Sequence, residues 1–223
     1  MKIGFLIFPG VTAMDFLGPH EVLGRLPQAV SYLIAKTSDP VQSDLGLTLT
    51  PHVTFGNTPA IDILVVPGGP GINHLLSDQE TLAYIAGMAD KVKYVAAVCT
   101  GALVLGAAGL LKGRQATTHW MSHHFLEMFG AKPVDERVVI DGKVITAGGV
   151  TSGIDLGLVL ADIIAGRETA ESIQLFLEYD PHPPFNAGSP KLAGQAVVAA
   201  AREEFSETLK QRTIAVSLAA GRL

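Results

Sequence analysis

The chain holds one cysteine, Cys99, within the stretch YVAAVCTGALVLGAAG at 94–109. It falls where an apolar, β-branched run gives way to glycine and alanine, the pattern of a strand turning into a helix. A sharp turn of that kind lifts a side chain above a sheet and aims the N–H groups of the next helix at it, which favours a thiolate and lowers the pKa. Cys99 is therefore a candidate nucleophile. The competing reading is a small buried hydrophobe, the commoner fate of a single cysteine.

Asp15 is the second candidate, an acid set between Met14 and Phe16 just after the first apolar run. An acid among hydrophobes at a strand end requires a partner or a role; the alternative is an N-cap for the helix that follows. If it reaches Cys99, an ionised carboxylate would raise the thiol's pKa, whereas a protonated one could bond a thiolate and later donate its proton. The turn Gly68-Gly69-Pro70-Gly71 can offer N–H groups to a developing anion, or merely reverse the chain. It is no dinucleotide fingerprint, because His74 holds the third glycine position.

His119, His123 and His124 cluster, but Trp120 stands where a zinc-protease helix needs a Glu, so no metal is expected. His119 is the best histidine partner for Cys99, although spacing alone does not bring the two together.

The elements that must position these residues follow from hydrophobic patterning. Apolar runs at 2–8, 30–35, 62–67 and 94–98 read as strands, with a short β-like piece at 115–118. Hairpins are expected at 41–55 and 137–146, the second turning at Asp141-Gly142. Helical spacing covers 16–26 (opened by Pro19), 79–91, 100–110, 120–129, 152–165, 170–177 and most of 193–223. Strands alternating with helices predict a doubly wound, mostly parallel α/β sheet with helices on both faces, whose ligands gather beyond the strands' C-terminal ends. One domain is expected over 1–223, with a C-terminal helical segment from about 191.

The net charge of −5 and the lack of a Lys/Arg run speak against a nucleic-acid partner. The run IGFLIF stops at Pro9-Gly10, too short for a signal peptide, and no stretch is long enough to cross a bilayer. A lone cysteine leaves no intramolecular disulfide, so a cytoplasmic protein is expected.

The segments FPGVTAMDFLGPHEVL, VVPGG, AAVCTGALVLGAAGLLKGRQATTHW and GGVTSGIDLGL together resemble the ThiJ/PfpI superfamily over essentially the whole chain. Within it, the Asp of the first loop, the Cys-Thr-Gly elbow and LEYDPHPPFNAGSP look most like the isocyanide hydratase branch. The resemblance implies a flavodoxin-like fold, Cys99 as nucleophile, Asp15 as acid/base partner and Thr100 as a supporting residue. It further implies a small-molecule isocyanide substrate, an N-substituted formamide product reached through a thioimidate, no cofactor, and a homodimer. Gly69, Gly71, Gly148, Val150, His119 and Trp120 are the expected substrate and oxyanion pocket, with Phe185 a further lining candidate.

The departures from other branches are informative. Protease-like members carry a histidine directly after the cysteine, where Thr100 stands. Class I glutamine amidotransferases have a glycine at the position of Ala97 and a later His-x-Glu, but His182 precedes Pro183-Pro184. Regulators with a helix-turn-helix domain need about a hundred further residues. Residues 191–223, where Arg202, Lys210, Arg212 and Arg222 are diluted by Glu203, Glu204 and Glu207, are expected instead to form a packing helix. Two rivals remain open: a glyoxalase- or deglycase-like enzyme using Cys99 with His119, and a redox sensor in which Cys99 is reversibly oxidised.

Overall fold

The computed structural model describes residues 1–223. From the N-terminus the chain forms β1 (Lys2–Leu6), α1 (Ala13–Leu23), β2 (Val30–Ala35), a two-rung hairpin of β3 (Val41–Gln42) and β4 (Thr48–Leu49), and β5 (Val53–Thr54). Next come β6 (Ile63–Val66), α2 (Ile72–Leu75), α3 (Gln79–Ala89), β7 (Tyr94–Val98), α4 (Gly101–Ala107) and β8 (Gln115–Ala116). The remainder is β9 (Lys132–Pro133), β10 (Val138–Asp141), β11 (Val144–Ala147), α5 (Ser152–Ala165), α6 (Arg167–Phe176), α7 (Gln195–Glu204) and α8 (Ser206–Ala220).

Seven strands make the main sheet in the order β10-β11-β7-β6-β1-β2-β5, parallel except for β10. Taking β2, β1, β6, β7 and β11 in turn gives the 2-1-3-4-5 order of a flavodoxin-like sheet, as expected. β6 and β11 are buried at every residue, and β1 and β7 at all but the first. That two-sided burial explains their unbroken apolar runs. α1 packs with α5, and α5 with α6; α2, α3, α4 and α8 pack among themselves in a second group. The strand order reverses between β1 and β6, and the chain leaves the sheet there through the loop that leads into α1, whose first turn carries Asp15, and through the turn that holds Gly68.

Several expectations are corrected. α1 starts at Ala13, not Phe16, and keeps Pro19 in its interior. Pro19 has no N–H for the Asp15 carbonyl, a defect that ordinarily costs about 3 kcal/mol in a helix. Here α5 packs tightly onto that spot: a Cβ on Gly153 would stand 2.8 Å from Pro19 Cδ and 3.3 Å from the Asp15 oxygen. The longer start makes Thr12 the N-cap position and puts Asp15 inside the first turn, so Asp15 is not a cap.

Residues 120–129 form successive 3-10 turns rather than an α-helix, entered where the His119 ring accepts the Met121 N–H (3.4 Å). The turn of the β10–β11 hairpin is Gly142-Lys143, one residue later than expected, because Asp141 pairs with Val144 while its carboxylate holds Arg114 and the Gln115 N–H. The 41–55 hairpin shrinks to β3–β4, and β5 instead extends the main sheet beside β2. The C-terminal helix breaks at Phe205, and α8 returns to pack on α2, α4 and the 120–129 turns.

Candidate active site

Loops after β1, β6 and β7 converge beyond the strands' C-terminal ends. Cys99 occupies the turn from β7 into α4 with φ of 56°, a left-handed conformation that costs a non-glycine residue about 1–3 kcal/mol. Three hydrogen bonds hold it there. Its N–H donates to the Gly148 oxygen (2.8 Å) and the Ala147 oxygen (3.1 Å), and Thr118 Oγ1 donates to its carbonyl (2.7 Å). Gly148 therefore supports the elbow through its carbonyl, while its own N–H is taken by Arg137 O (3.0 Å). It is no oxyanion donor.

Thr100, the residue after the elbow, ties it to the Gly-rich turn: the Gly69 N–H donates to Thr100 Oγ1 (3.0 Å). The approach is close enough that a Cβ on Gly68 would stand 2.6 Å from the Thr100 nitrogen.

Asp15 is fully buried. Its Oδ2 accepts the Gly68 N–H (2.8 Å), and its Oδ1 has no hydrogen-bond partner. Burial pushes its pKa up to about 7, with Asp44 adding to the rise, while the Gly68 N–H and the Cys99 thiol pull the other way. Cys99 in turn is held well above the ordinary thiol range, first by burial and then by the Asp15 charge; the Thr100 N–H and the Arg212 charge oppose this. The lowered thiol pKa expected from the helix terminus is thus not the resting state. The N–H and the charge that favour thiolate do not offset removal from water beside an acid.

The Gly-rich turn also departs from expectation. The Gly68 and Gly69 N–H groups serve Asp15 and Thr100, the Gly71 N–H donates to Gly10 O (3.0 Å), and Pro70 has none. Gly69 and Gly71 are not free anion donors; they fasten the loops together, and only Gly69 reaches the cavity wall.

That cavity, about 430 Å³, opens above Cys99 and Thr100, and Val150, His119 and Trp120 lie in its wall. Its size and largely apolar lining suit a small organic molecule. Phe185 is 79% exposed and stands outside it, a correction to the lining expectation. The fold does bring His119 to the pocket of Cys99, but burial and the Arg212 charge pull its pKa down to about 4, leaving a neutral ring near neutral pH. His123 bonds the Val134 carbonyl (3.0 Å) and His124 packs on Phe125, so the three histidines do not converge.

Sequence reasoning missed Arg212, taken for one of several diluted surface charges. It is 6% exposed and lines the cavity from α8. The signal is present in hindsight: Leu209, Arg212, Val216 and Ala219 follow helical spacing, so Arg212 is the one charge on an apolar stripe.

A cysteine elbow beside a buried acid, on a 2-1-3-4-5 parallel sheet, fits the match of residues 1–163 to the DJ-1/PfpI family model; the chain belongs to the DJ-1/PfpI family. Across its whole length it is 48% identical to an isonitrile hydratase of Pseudomonas putida, covering 98% of that protein. A crystal structure of a ThiJ/PfpI family protein from Pseudomonas syringae, 45% identical, superposes with a TM-score of 0.93 over 99% of this chain and 90% of its own. Schizosaccharomyces pombe DJ-1, at 19% identity, shares the fold with a TM-score of 0.70, over 82% of this chain and all of its own.

Proposed function

We propose that this protein adds water to isonitriles, giving N-substituted formamides through a thioimidate on Cys99. The observation that carries the reading is the buried Asp15 carboxyl, poised near pH 7, beside the Cys99 sulfur. The full-length similarity to an isonitrile hydratase supports it.

The chemistry follows from the two groups. An isonitrile's terminal carbon accepts both a nucleophile and a proton. Cys99 rests as a thiol, so its proton passes to the Asp15 carboxylate as the sulfur attacks, and the same proton then moves to the carbon. The product is a thioimidate, R–N=CH–S–Cys99. Water adds across the C=N bond with Asp15 as base, placing hydroxyl on carbon and hydrogen on nitrogen. Collapse of the C–S bond forms the C=O bond, the sulfur recovers a proton, and R–NH–CHO departs. Water supplies every atom added, and one carboxyl serves as base and acid in turn.

Thr100 holds the Gly-rich turn against the elbow, which keeps the Asp15 acceptor bond in register. Val150 and Trp120 would pack the organic group, since isonitriles offer few polar handles. A homodimer in the cytoplasm belongs to the same reading, and light scattering measures the first of these.

The reading is tested by incubating the protein with an alkyl or aryl isonitrile and following the formamide. Formation well above the buffer rate supports it; formation at the buffer rate rejects it.

A further inference from the structure

We propose that Arg212 is the counter-cation of the Cys99 thiolate, a positioning residue carried into the site by the C-terminal helix. A guanidinium in a protein interior ordinarily meets a carboxylate, because an unpaired buried charge costs several kcal/mol. Arg212 meets none. Its Nε donates to Asn73 Oδ1 (3.1 Å) and its Nη1 to Ser122 Oγ (3.0 Å), both neutral acceptors. Its Nη2 makes no hydrogen bond, and the side chain lines the cavity that holds Cys99. Three separate segments thus fix the fork: α8 supplies it, α2 and the 120–129 turns orient it.

The charged and titratable groups around the sulfur are few. Asp15 faces it from α1, His119 and Arg212 share its cavity, and Asp44 lies in the same wall. His119 stays neutral, and Asp15 and Asp44 are acids, so Arg212 is the cation available to a sulfur anion. The coupling runs both ways: the Arg212 charge favours the thiolate, and burial, which lowers the Arg212 pKa, is opposed by the Cys99 charge.

This arrangement is useful because Cys99 rests as a thiol. The cation is uncompensated in the ground state and gains its partner only as the sulfur loses its proton or leaves carbon. An interaction stronger in the transition state than in the ground state accelerates the step. Arg212 also lies beyond residues 1–163, the part that matches the family model. The segment that follows the shared fold therefore completes the electrostatics of the site.

The inference rests on the proposed nucleophilic role of Cys99 only for its effect on turnover, and the test reads the thiolate itself. Cys99 is the sole cysteine, so iodoacetamide alkylation and ultraviolet thiolate absorbance, each followed against pH, report on it alone, with Cys99→Ala as the blank. Arg212→Gln is expected to slow alkylation about tenfold at each pH below the thiolate midpoint and to move that midpoint up by about one unit. Arg212→Lys keeps the charge and is expected to recover most of the loss. Should Arg212→Gln fail to fold, Asn73→Asp answers the same question, because it gives the guanidinium a carboxylate in place and is expected to raise the midpoint likewise. An unmoved midpoint in a folded Arg212→Gln or Asn73→Asp protein overturns the inference, as does equal impairment by Gln and Lys. A shifted midpoint in a protein that makes no formamide leaves this inference standing and rejects the hydratase reading.

Discussion

The Gly68 N–H donates to Asp15 Oδ2 at 2.8 Å, while the other oxygen of the same carboxyl has no partner. One backbone bond thus fixes the acid's position and leaves its second oxygen able to exchange a proton. Replacing the carboxyl by an amide keeps the acceptor for Gly68 but removes the proton carrier. Asp15→Asn is expected to fold and to lose at least about a hundredfold in formamide formation, the usual scale of general acid–base catalysis. A steady-state assay measures it.

Stability should move the opposite way. Between about pH 4 and pH 7 the unfolded chain carries Asp15 ionised while the folded protein keeps its proton. The native state then binds more protons, so this residue makes the protein less stable as pH rises through that window, and the full penalty stands above about pH 7. Asp15→Asn is expected to be more stable than the parent at about pH 8, by up to roughly 4 kcal/mol, with the gap closing below about pH 4. Urea denaturation at the two pH values checks the sign.

Thr100→Val removes the acceptor of the buried Gly69 N–H. Leaving that donor unsatisfied is expected to cost about 1–3 kcal/mol and to lower turnover by loosening the turn that holds Asp15. Thr100→Ser keeps the oxygen and should retain most of both. Thermal melting and the formamide assay, run on the two variants together, distinguish the hydroxyl from the methyl.

Gly69 sits at φ of 129°, and a Cβ there would stand 2.5 Å from the Gly10 oxygen. Backbone strain alone predicts a loss of about 1–3 kcal/mol for Gly69→Ala, with the clash in addition. The denaturation midpoint should fall, and activity with it, because the first two loops of the site separate.

His119 is neutral because its folded pKa lies near 4. Its contribution to stability is present at neutral pH and is lost as pH falls from about 6.5 toward 4, where the unfolded chain takes up a proton that the folded ring resists. His119→Gln is expected to flatten that acid loss. It should also leave the shape of the pH–rate profile unchanged between about pH 6 and pH 8. A disappearance of turnover in His119→Gln would instead favour a Cys99–His119 pair of the glyoxalase-like kind.

Much of the fold was legible because β1, β6 and β7 are buried on both faces and write their burial into the sequence as continuous apolar runs. The Cys99 elbow was legible for the same reason, since it lies at the abrupt end of one such run. Other features depend on partners distant in sequence. Pro19 inside α1 is tolerated through Gly153, and the 3-10 turns at 120–129 pack against α8. Charge balance at the sulfur was illegible as well. A local helix end argues for thiolate, but burial, Asp15 from α1 and Arg212 from α8 decide it, and no spacing rule joins those three segments. The N–H groups of the Gly-rich turn looked free only because their acceptors, Asp15, Thr100 and Gly10, lie on other segments.

The most direct measurement is the intact mass of the protein quenched during turnover of an isonitrile, with the modified peptide located. Hydration through Cys99 predicts a gain of one substrate molecule on the peptide carrying Cys99 in the parent protein, absent from Cys99→Ala, which makes formamide at the buffer rate. An unmodified protein that releases formamide, with Cys99→Ala matching the parent rate, would contradict it.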